Sequence, residues 1–346
     1  MRRLRVCIYG GTDLGAASIS LISAIAYQVL HLPSAVIVTG GFLHGGKKPG
    51  AMSTDSAALM GARRFAREEG RPLSECYEAW IPEPGLDSRP DVKGVVRMTE
   101  ADGIKVEVMH GRTPLGRRLA MVANVDVVIT IAGSRHTEVV IEQALELGVP
   151  VFPIPFADGD SEALLEKYRD RIESRFEPGG LDRCLGEVSR AMKRDPESAA
   201  GAVVDLLETA KVGRCLVLFQ YDDEHDRLYT SVVEPAISPH MFPVRMDRIP
   251  ASESIYTSFA ELMRTSSAVI ADITRINEDV MYEVGYAHGR GLKPLLYTRD
   301  HARLDTLPVY FRTLNVLPAT EATLPGIVDG YLRSVKALRE EEQLPA

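Results

Sequence analysis

The chain alternates, twice over, between short apolar runs rich in β-branched residues and stretches of helical pattern. No other feature restricts its fold as strongly. In the first half, runs of strand length occupy Arg5–Tyr9, Ala35–Thr39, Ile104–Met109, Val125–Ile131 and Val149–Ile154. Helical stretches at Leu14–Leu30, Thr54–Glu69, Pro114–Ala123 and Thr137–Leu147 separate them. Strands that are apolar nearly throughout are buried on both faces, so the pattern predicts a parallel sheet with helices on either side. A second series follows, with strands at Arg214–Phe219, Phe242–Met246, Ala268–Asp272, Lys293–Tyr297 and Leu314–Leu317. Helices are predicted at Asp226–Ile237, Ser252–Ser266, Asp279–Gly289 and Leu324–Glu341. Between the two series, charge-rich helices broken at Pro178-Gly-Gly and Asp195-Pro196 read as a connector. The expectation is therefore α/β: two Rossmann-like or flavodoxin-like doubly wound domains, residues 1–157 and 213–346, joined by a helical connector over 158–212.

Two domains suit a chain of 346 residues, which exceeds one ordinary core. With 45% hydrophobic and 25% charged residues the composition is globular, and no apolar run approaches the ~20 residues that span a bilayer. The basic start, Met1-Arg-Arg-Leu-Arg, leads into an apolar run that ends at Gly10-Gly11, which reads as a first strand and not a signal peptide. A cytoplasmic protein with no membrane partner is expected. The net charge of −8, without a basic block, disfavours duplex nucleic acid but permits small phosphorylated ligands held locally. Cys7, Cys76, Cys184 and Cys215 are widely spaced and read as core thiols, while His110 and His136 are isolated. No metal site and no cofactor follow from either residue type.

Three predicted strands of the first half end in polar, glycine-bearing segments: Gly10-Gly11-Thr12-Asp13, Thr39-Gly40-Gly41, and Ala132-Gly133-Ser134-Arg135-His136-Thr137-Glu138. Carboxyl ends of neighbouring strands meet at one crevice in a doubly wound sheet, and amides at a helix N-terminus favour an anion there. Gly10, Gly11, Thr12, Gly41, Gly133, Ser134 and Thr137 are accordingly candidate nucleotide-binding residues. Glu138 is either part of that site or simply a carboxylate favoured in a first helical turn. His44 and Gly45-Gly46-Lys47-Lys48 read as a solvated loop.

The densest signal is Ala271-Asp272-Ile-Thr274-Arg-Ile-Asn277-Glu-Asp279-Val-Met-Tyr282-Glu283-Val-Gly285-Tyr286-Ala287-His288. A strand ends at Asp272 and a helix starts near Asp279, the expected N-cap, which puts Glu283 in the first turns, where the helix dipole favours its ionised form. Positions i+3 and i+4 from Glu283 are Tyr286 and Ala287, so no intrahelical ion pair explains an acid among apolar neighbours. Asp247 and Asp272 end adjacent predicted strands. Several carboxylates without a cysteine or histidine cluster suit glycosidic chemistry, in which one acid attacks or stabilises a cationic sugar carbon. Glu283 and Asp272 are the catalytic candidates; Phe219, Gln220, Asp247, Asn277 and Tyr282 are candidates for substrate contact.

Two resemblances rest on these residues. Arg117-Arg118 through Gly133, with the Gly-Gly loops, resembles the SLOG superfamily of lonely-guy phosphoribohydrolases and lysine-decarboxylase-like Rossmann proteins over about residues 4–155. Its active-site arginine and threonine match Arg117 and Thr137. The family's Pro-Gly-Gly is Ala132-Gly133-Ser134 here, and its acidic pair falls on Val139-Val140, so the resemblance implies nucleotide binding more than a second enzyme. The Ala-Asp-Ile-Thr…Tyr-Glu-x-Gly-Tyr-Ala-His string, with Leu218-Phe219-Gln220-Tyr221, resembles nucleoside 2-deoxyribosyltransferase-like families, including deoxyribohydrolase-like and TIR-like domains, over about 214–298. That resemblance implies cleavage of the N-glycosidic bond of a nucleotide, nucleoside or NAD, with Glu283 acting at C1′, Asp272 holding sugar or base, and Phe219 and Gln220 bordering the base. Together the two imply a nucleotide-regulated N-glycosidase of antiviral defence that assembles as a homo-oligomer. A metabolic nucleoside transferase or hydrolase, and a non-catalytic nucleotide sensor, are the alternatives.

Overall fold

The computed structural model describes residues 3–44, 52–86, 96–248, 255–275, 277–300, 307 and 309–341. The chain divides between Ala210 and Lys211 into two compact units. The first holds strands β1 (Leu4–Gly10), β2 (Ala35–Thr39), β3 (Phe42–His44), β4 (Tyr77–Pro82), β5 (Val96–Arg97), β6 (Lys105–Met109), β7 (Val127–Ile131) and β8 (Val151–Ile154). Its helices are α1 (Ala16–Val29), α2 (Thr54–Glu68), α3 (Leu73–Cys76), α4 (Pro114–Ala123), α5 (His136–Glu146), α6 (Asp160–Lys167), α7 (Arg169–Glu173), α8 (Gly180–Ala191) and α9 (Pro196–Glu208). Six strands form a parallel sheet in the order β6-β4-β2-β1-β7-β8, and β3 pairs with β5 in a separate antiparallel ribbon. From β1 the chain runs outward through β2, β4 and β6, then returns to lay β7 on the other side of β1. The order therefore reverses between β1 and β7, and the carboxyl ends of those two strands open a crevice.

The second unit contains β9 (Arg214–Leu218), β10 (Phe242–Val244), β11 (Ala268–Asp272), β12 (Leu295–Thr298) and β13 (Val316–Pro318). They form a parallel sheet in the order β10-β9-β11-β12-β13, which reverses between β9 and β11. Helices α10 (Asp223–Leu228), α11 (Glu234–Ile237), α12 (Ile255–Thr265), α13 (Glu278–Gly289), α14 (Val309–Arg312) and α15 (Leu324–Glu341) surround it. Alternate residues of β9 feed two cores: Cys215 and Val217 pack with Leu324, Val328 and Leu332 of α15, while Leu216 and Leu218 pack with Phe259 of α12 and Val280 and Val284 of α13. Both units thus have the doubly wound architecture expected, and all four cysteines are buried free thiols.

Several details differ from the expectation. The helices set apart as a connector belong to the first unit: α9 packs on α1, and Gln28 donates a hydrogen bond to the Glu197 carbonyl (2.7 Å). Their charged residues made this stretch look like a solvated link, but Ala199, Ala200, Val203 and Leu206 are buried. Strand β4 was not anticipated, because Glu78 interrupts its apolar pattern. That carboxylate is nonetheless buried, ringed by Arg5, Lys105 and the Trp80 indole. The segment read as one helix over Asp226–Ile237 is α10 and α11 joined by a π-turn, Tyr229–Val233, just ahead of Pro235. Proline lacks an N–H for the helical ladder, and the wider turn accommodates that loss. Gly45–Lys48 lies outside the described residues.

Helices α1 and α2 approach so closely at Gly61 that a Cβ there would lie 2.0 Å from the Ser23 carbonyl oxygen. Gly285 in α13 has open space at the same position. Gly61→Ala should therefore destabilise the first unit by ~1–3 kcal/mol through overpacking. Gly285→Ala should stabilise the second by ~0.5–1 kcal/mol through helix propensity. Denaturant unfolding of each variant checks both signs.

Candidate functional site

In the first unit the β1 and β7 ends line a cavity of about 300 Å³ with Gly10, Gly11, Thr12, Asp13, Ala132, Gly133, Ser134, His136 and Thr137. The Gly11 loop is pinned on both sides. Its amide donates to the Ile131 carbonyl (3.0 Å), and its carbonyl accepts from the Thr54 amide and hydroxyl (both 2.9 Å). The loop after β7 holds Ala132, Gly133 and Arg135 at φ of 52°, 90° and 60°. Left-handed backbone at non-glycine residues costs ~1–3 kcal/mol each and persists only where neighbours enforce it. Here the start of α6 does so, as the Asp160 and Ser161 amides donate to the Gly133 and Ala132 carbonyls (3.0 and 3.2 Å). Neither α1 nor α5 has a side-chain cap from its own N-cap residue, Gly15 or Arg135.

The expected residues divide here. Gly10, Gly11, Thr12, Gly133, Ser134 and Thr137 line the cavity, whereas Gly41, Arg117 and Glu138 do not. Arg117 is fully buried beneath Gly40: its Nη1 donates to the Trp80 carbonyl (3.4 Å), its Nε and Nη2 are buried without partners among the described residues, and burial holds it below the usual guanidinium range. Glu138 is exposed; its amide is bonded to the Asp160 carboxylate (3.0 Å), which caps α5. The arginine in the cavity wall is the next one along. Arg118 is buried and donates from Nε to the Tyr9 hydroxyl (2.9 Å), and among the described residues its two terminal amino groups have no protein acceptor. Tyr9, Phe42, Ser53, Asp55 and Asp158 complete the wall. Asp55 accepts from the Phe42 amide (2.8 Å), and burial still raises its carboxyl above the usual range.

In the second unit the ends of β9, β10, β11 and β12 bring together two arginine-centred networks. Asp272, at the end of β11, is fully buried. It accepts from the Thr274 amide (2.8 Å) and from Arg299 Nε (3.3 Å). Arg299 also donates to Glu224 (2.7 Å) and lies 3.2 Å from His225 Nε2, while His225 Nδ1 meets Asp222 at 2.7 Å. Arg245, after β10, forks onto Asp247 (2.9 and 2.5 Å) and reaches Asp226 (2.5 Å). Phe219 lies between the networks, parallel to the His225 ring at 6.0 Å and 4.9 Å from the Arg245 guanidinium. It is 5% exposed and so belongs to the floor of the crevice, not to its wall.

Helix α13 begins at Glu278, one residue earlier than expected, because Asn277 is the N-cap: its Oδ1 accepts from the Val280 amide (2.9 Å). Glu283 is therefore in the second turn, beyond the region where the dipole is strong. Burial dominates instead. It pushes the Glu283 carboxyl from its ordinary 4.5 up to about 7, and Asp279, one turn earlier, adds to the rise. Among the described residues Glu283 makes no hydrogen bond or ion pair, and Arg275 is taken by Glu224 (3.3 Å). Burial above all, and then the charges of Glu283 and Asp247, raise the Tyr221 phenol. No bond joins Glu283 to Asp272. Gln220 follows Phe219 at the strand end, and the half-exposed Tyr282 packs against Phe259 and Tyr286.

Tyr221, His225, Arg245 and Arg299 were not among the expected residues. Arg299 was within reach of the same logic that found Asp272, since it directly follows the neighbouring strand. Tyr221 and Arg245 had only their closeness to strand ends to mark them.

No protein-family model matches the chain, and no curated protein does. Solved structures with a partial likeness include the structural-genomics protein TM1055, at 17% identity over 47% of this chain and 81% of that one. DNA processing protein A from Helicobacter pylori is 17% identical over 49% and 73%, and the molybdenum cofactor carrier protein of Chlamydomonas reinhardtii 15% over 60% and 99%. All three have a TM-score of 0.34, too low to carry an argument about this chain. No helix among the described residues is long and apolar enough to cross a membrane.

The two arginines should separate cleanly. Arg118→Met should weaken binding of inorganic phosphate or a nucleotide about tenfold or more, the loss of a charge-assisted contact. Arg117→Met, a change confined to the interior, should leave binding within about threefold. Calorimetric titration distinguishes them. Glu283 yields a stability test independent of function. Its folded-state pKa of about 7 exceeds the ordinary 4.5, so folded protein keeps the proton across that window. Stability should fall as pH rises through it, with the full penalty above pH 7. Glu283→Gln should thus raise the melting temperature at pH 8 and change it little at pH 4.5, as read by thermal unfolding.

Proposed function

We propose that the second unit cleaves the N-glycosidic bond of a nucleoside, nucleotide or NAD-like dinucleotide through Glu283. In the same reading the first unit is a SLOG-like domain that binds a regulatory nucleotide at the Gly11–Gly133 cavity. The observation that carries the proposal is the state of Glu283: a half-buried carboxyl, raised by burial and without a cation partner among the described residues, on the helix that follows β11. Ionising such a group is unfavourable in the resting protein. The penalty is offset only when positive charge develops beside it, as it does on C1′ when a base departs from a sugar. An interaction gained in the transition state and absent from the ground state is what accelerates a reaction. The ionised carboxylate then either bonds to C1′ or stabilises its cation, and water or a second base completes the reaction.

Asp272 has another role in this scheme. With its oxygens held by Thr274 and Arg299, it positions the β11 end and the Arg299 side chain, and does not itself meet the substrate. The resemblance to prokaryotic conflict-system domains favours a defensive role for the fused pair.

Base released from a panel of nucleosides, nucleotides and NAD, measured by chromatography, tests the proposal. Wild type should release base with an activity that rises with pH to a plateau above about 7, because the ionised carboxylate is the active form. Glu283→Gln should lose about 10³-fold or more, and Asp272→Asn less. Equal release by wild type and Glu283→Gln removes Glu283 from the mechanism, and no release from any substrate leaves the nucleotide sensor as the better reading.

A further inference from the structure

The Arg245–Asp247 pair has a geometry that packing alone does not require. Arg245 is 3% exposed, with its guanidinium 4.7 Å from the Tyr229 ring, 4.9 Å from Phe219 and 5.9 Å from Tyr221. It grips both oxygens of Asp247 in a two-bond fork, and its remaining amino group, Nη1, is buried without a partner among the described residues. An aromatic box and two carboxylates hold this cation against two costs, desolvation and an unsatisfied donor. A salt bridge made only for stability has no reason to leave Asp247 at the surface, yet that side chain is 37% exposed. Each carboxylate oxygen has two acceptor directions, and the fork uses one on each. The other two point away from Arg245 and have a fixed orientation, because the arginine cannot rotate within its box.

We propose that Asp247, locked by Arg245, selects the substrate of the C-terminal crevice by accepting hydrogen bonds from donors on the ligand. Such an acceptor takes a sugar hydroxyl or the amino group of a base and repels phosphate, so the part of the ligand lying beside Tyr221 and Glu283 is the neutral nucleoside. This rests on the glycosidase reading for the choice of ligand, but it is tested by binding and not by turnover. The lock is what makes the acceptor selective. A free aspartate rotates to suit many partners, whereas one held at both oxygens offers its lone pairs in one plane only.

The test is calorimetric titration of the full chain carrying Glu283→Gln, so that no ligand is consumed. The ligands are adenosine, 2′-deoxyadenosine and purine riboside, which lacks the exocyclic amine. Adding Asp247→Asn should weaken adenosine about tenfold to hundredfold, the range for a hydrogen bond to a charged group. The analogue lacking the recognised donor should bind equally, and weakly, with or without that change. If the analogue is 2′-deoxyadenosine the donor is the sugar hydroxyl, and if it is purine riboside the donor is the base amine. Arg245→Lys, which keeps the charge and loses the fork, should reproduce most of the loss, with circular dichroism confirming the fold; where that variant does not fold, Asp247→Asn alone decides. Adenosine bound as tightly after Asp247→Asn as before overturns the proposal. So does a loss of equal size for all three ligands, or no binding of any of them to the parent. Donor-dependent binding alongside a wild type that releases no base leaves the selection intact and removes only the glycosidase reading.

Discussion

The constraint on which both units depend is the reversal of strand order in a parallel sheet. A parallel connection must cross over, and its helix covers one face or the other according to the direction in which the chain is moving along the sheet. Where that direction changes, at β1/β7 and again at β9/β11, the two connections leave on opposite sides and a crevice opens between the strand ends. Gly10–Gly11 faces Ala132–Gly133 in the first sheet for this reason, and Phe219–Tyr221 faces Asp272–Thr274 in the second. Groups outside the strands hold the polar ends: Thr54 and the start of α6 in the first crevice, Arg245 and Arg299 in the second.

The two crevices solve different electrostatic problems. The first combines a strained loop with one arginine whose terminal groups have no acceptor among the described residues, and Asp13, Asp55 and Asp158 share its wall. The second has carboxylates in excess: Arg245 pairs with Asp226 and Asp247, and Arg299 with Glu224 and Asp272, while Glu283 has no such partner among the described residues. The proposed function assigns a phosphate to the former and a developing sugar cation to the latter.

Most of the architecture was legible in the sequence because burial on both faces gives nearly unbroken apolar runs, and such runs have few other uses. Strand β4 escaped because Glu78 disguises it; a buried carboxylate is tolerated only with partners from β1 and β6, and no local pattern records those. The sites were legible to the extent that strand ends predict convergence, which gathered the Gly11 loop, the Ala132–Thr137 segment, Asp272 and Asp247. What the sequence could not order was depth. Arg117 and Arg118 are neighbours, yet a helix turns them by about 100°, sending one beneath the sheet end and the other into the cavity wall. Phe219 and Tyr221 also differ in depth, one 5% and the other 45% exposed, although they stand two residues apart. Whether Asn277 or Asp279 capped α13 decided whether the dipole or burial would govern Glu283, and side-chain geometry alone settles that.

The packing of α9 against α1 bears on how the protein is made. These helices come from opposite ends of the first unit, with Gln28 bonded to Glu197 across 169 residues of sequence. On the ribosome α1 emerges early, and α2 can cover one of its sides soon afterwards, but the other side stays bare until the last helix of the unit has been synthesised. At typical elongation rates that interval lasts roughly ten seconds or more. The first unit therefore completes its core at the moment the second begins to appear, and its apolar first helix is the surface that a nascent-chain chaperone would find waiting.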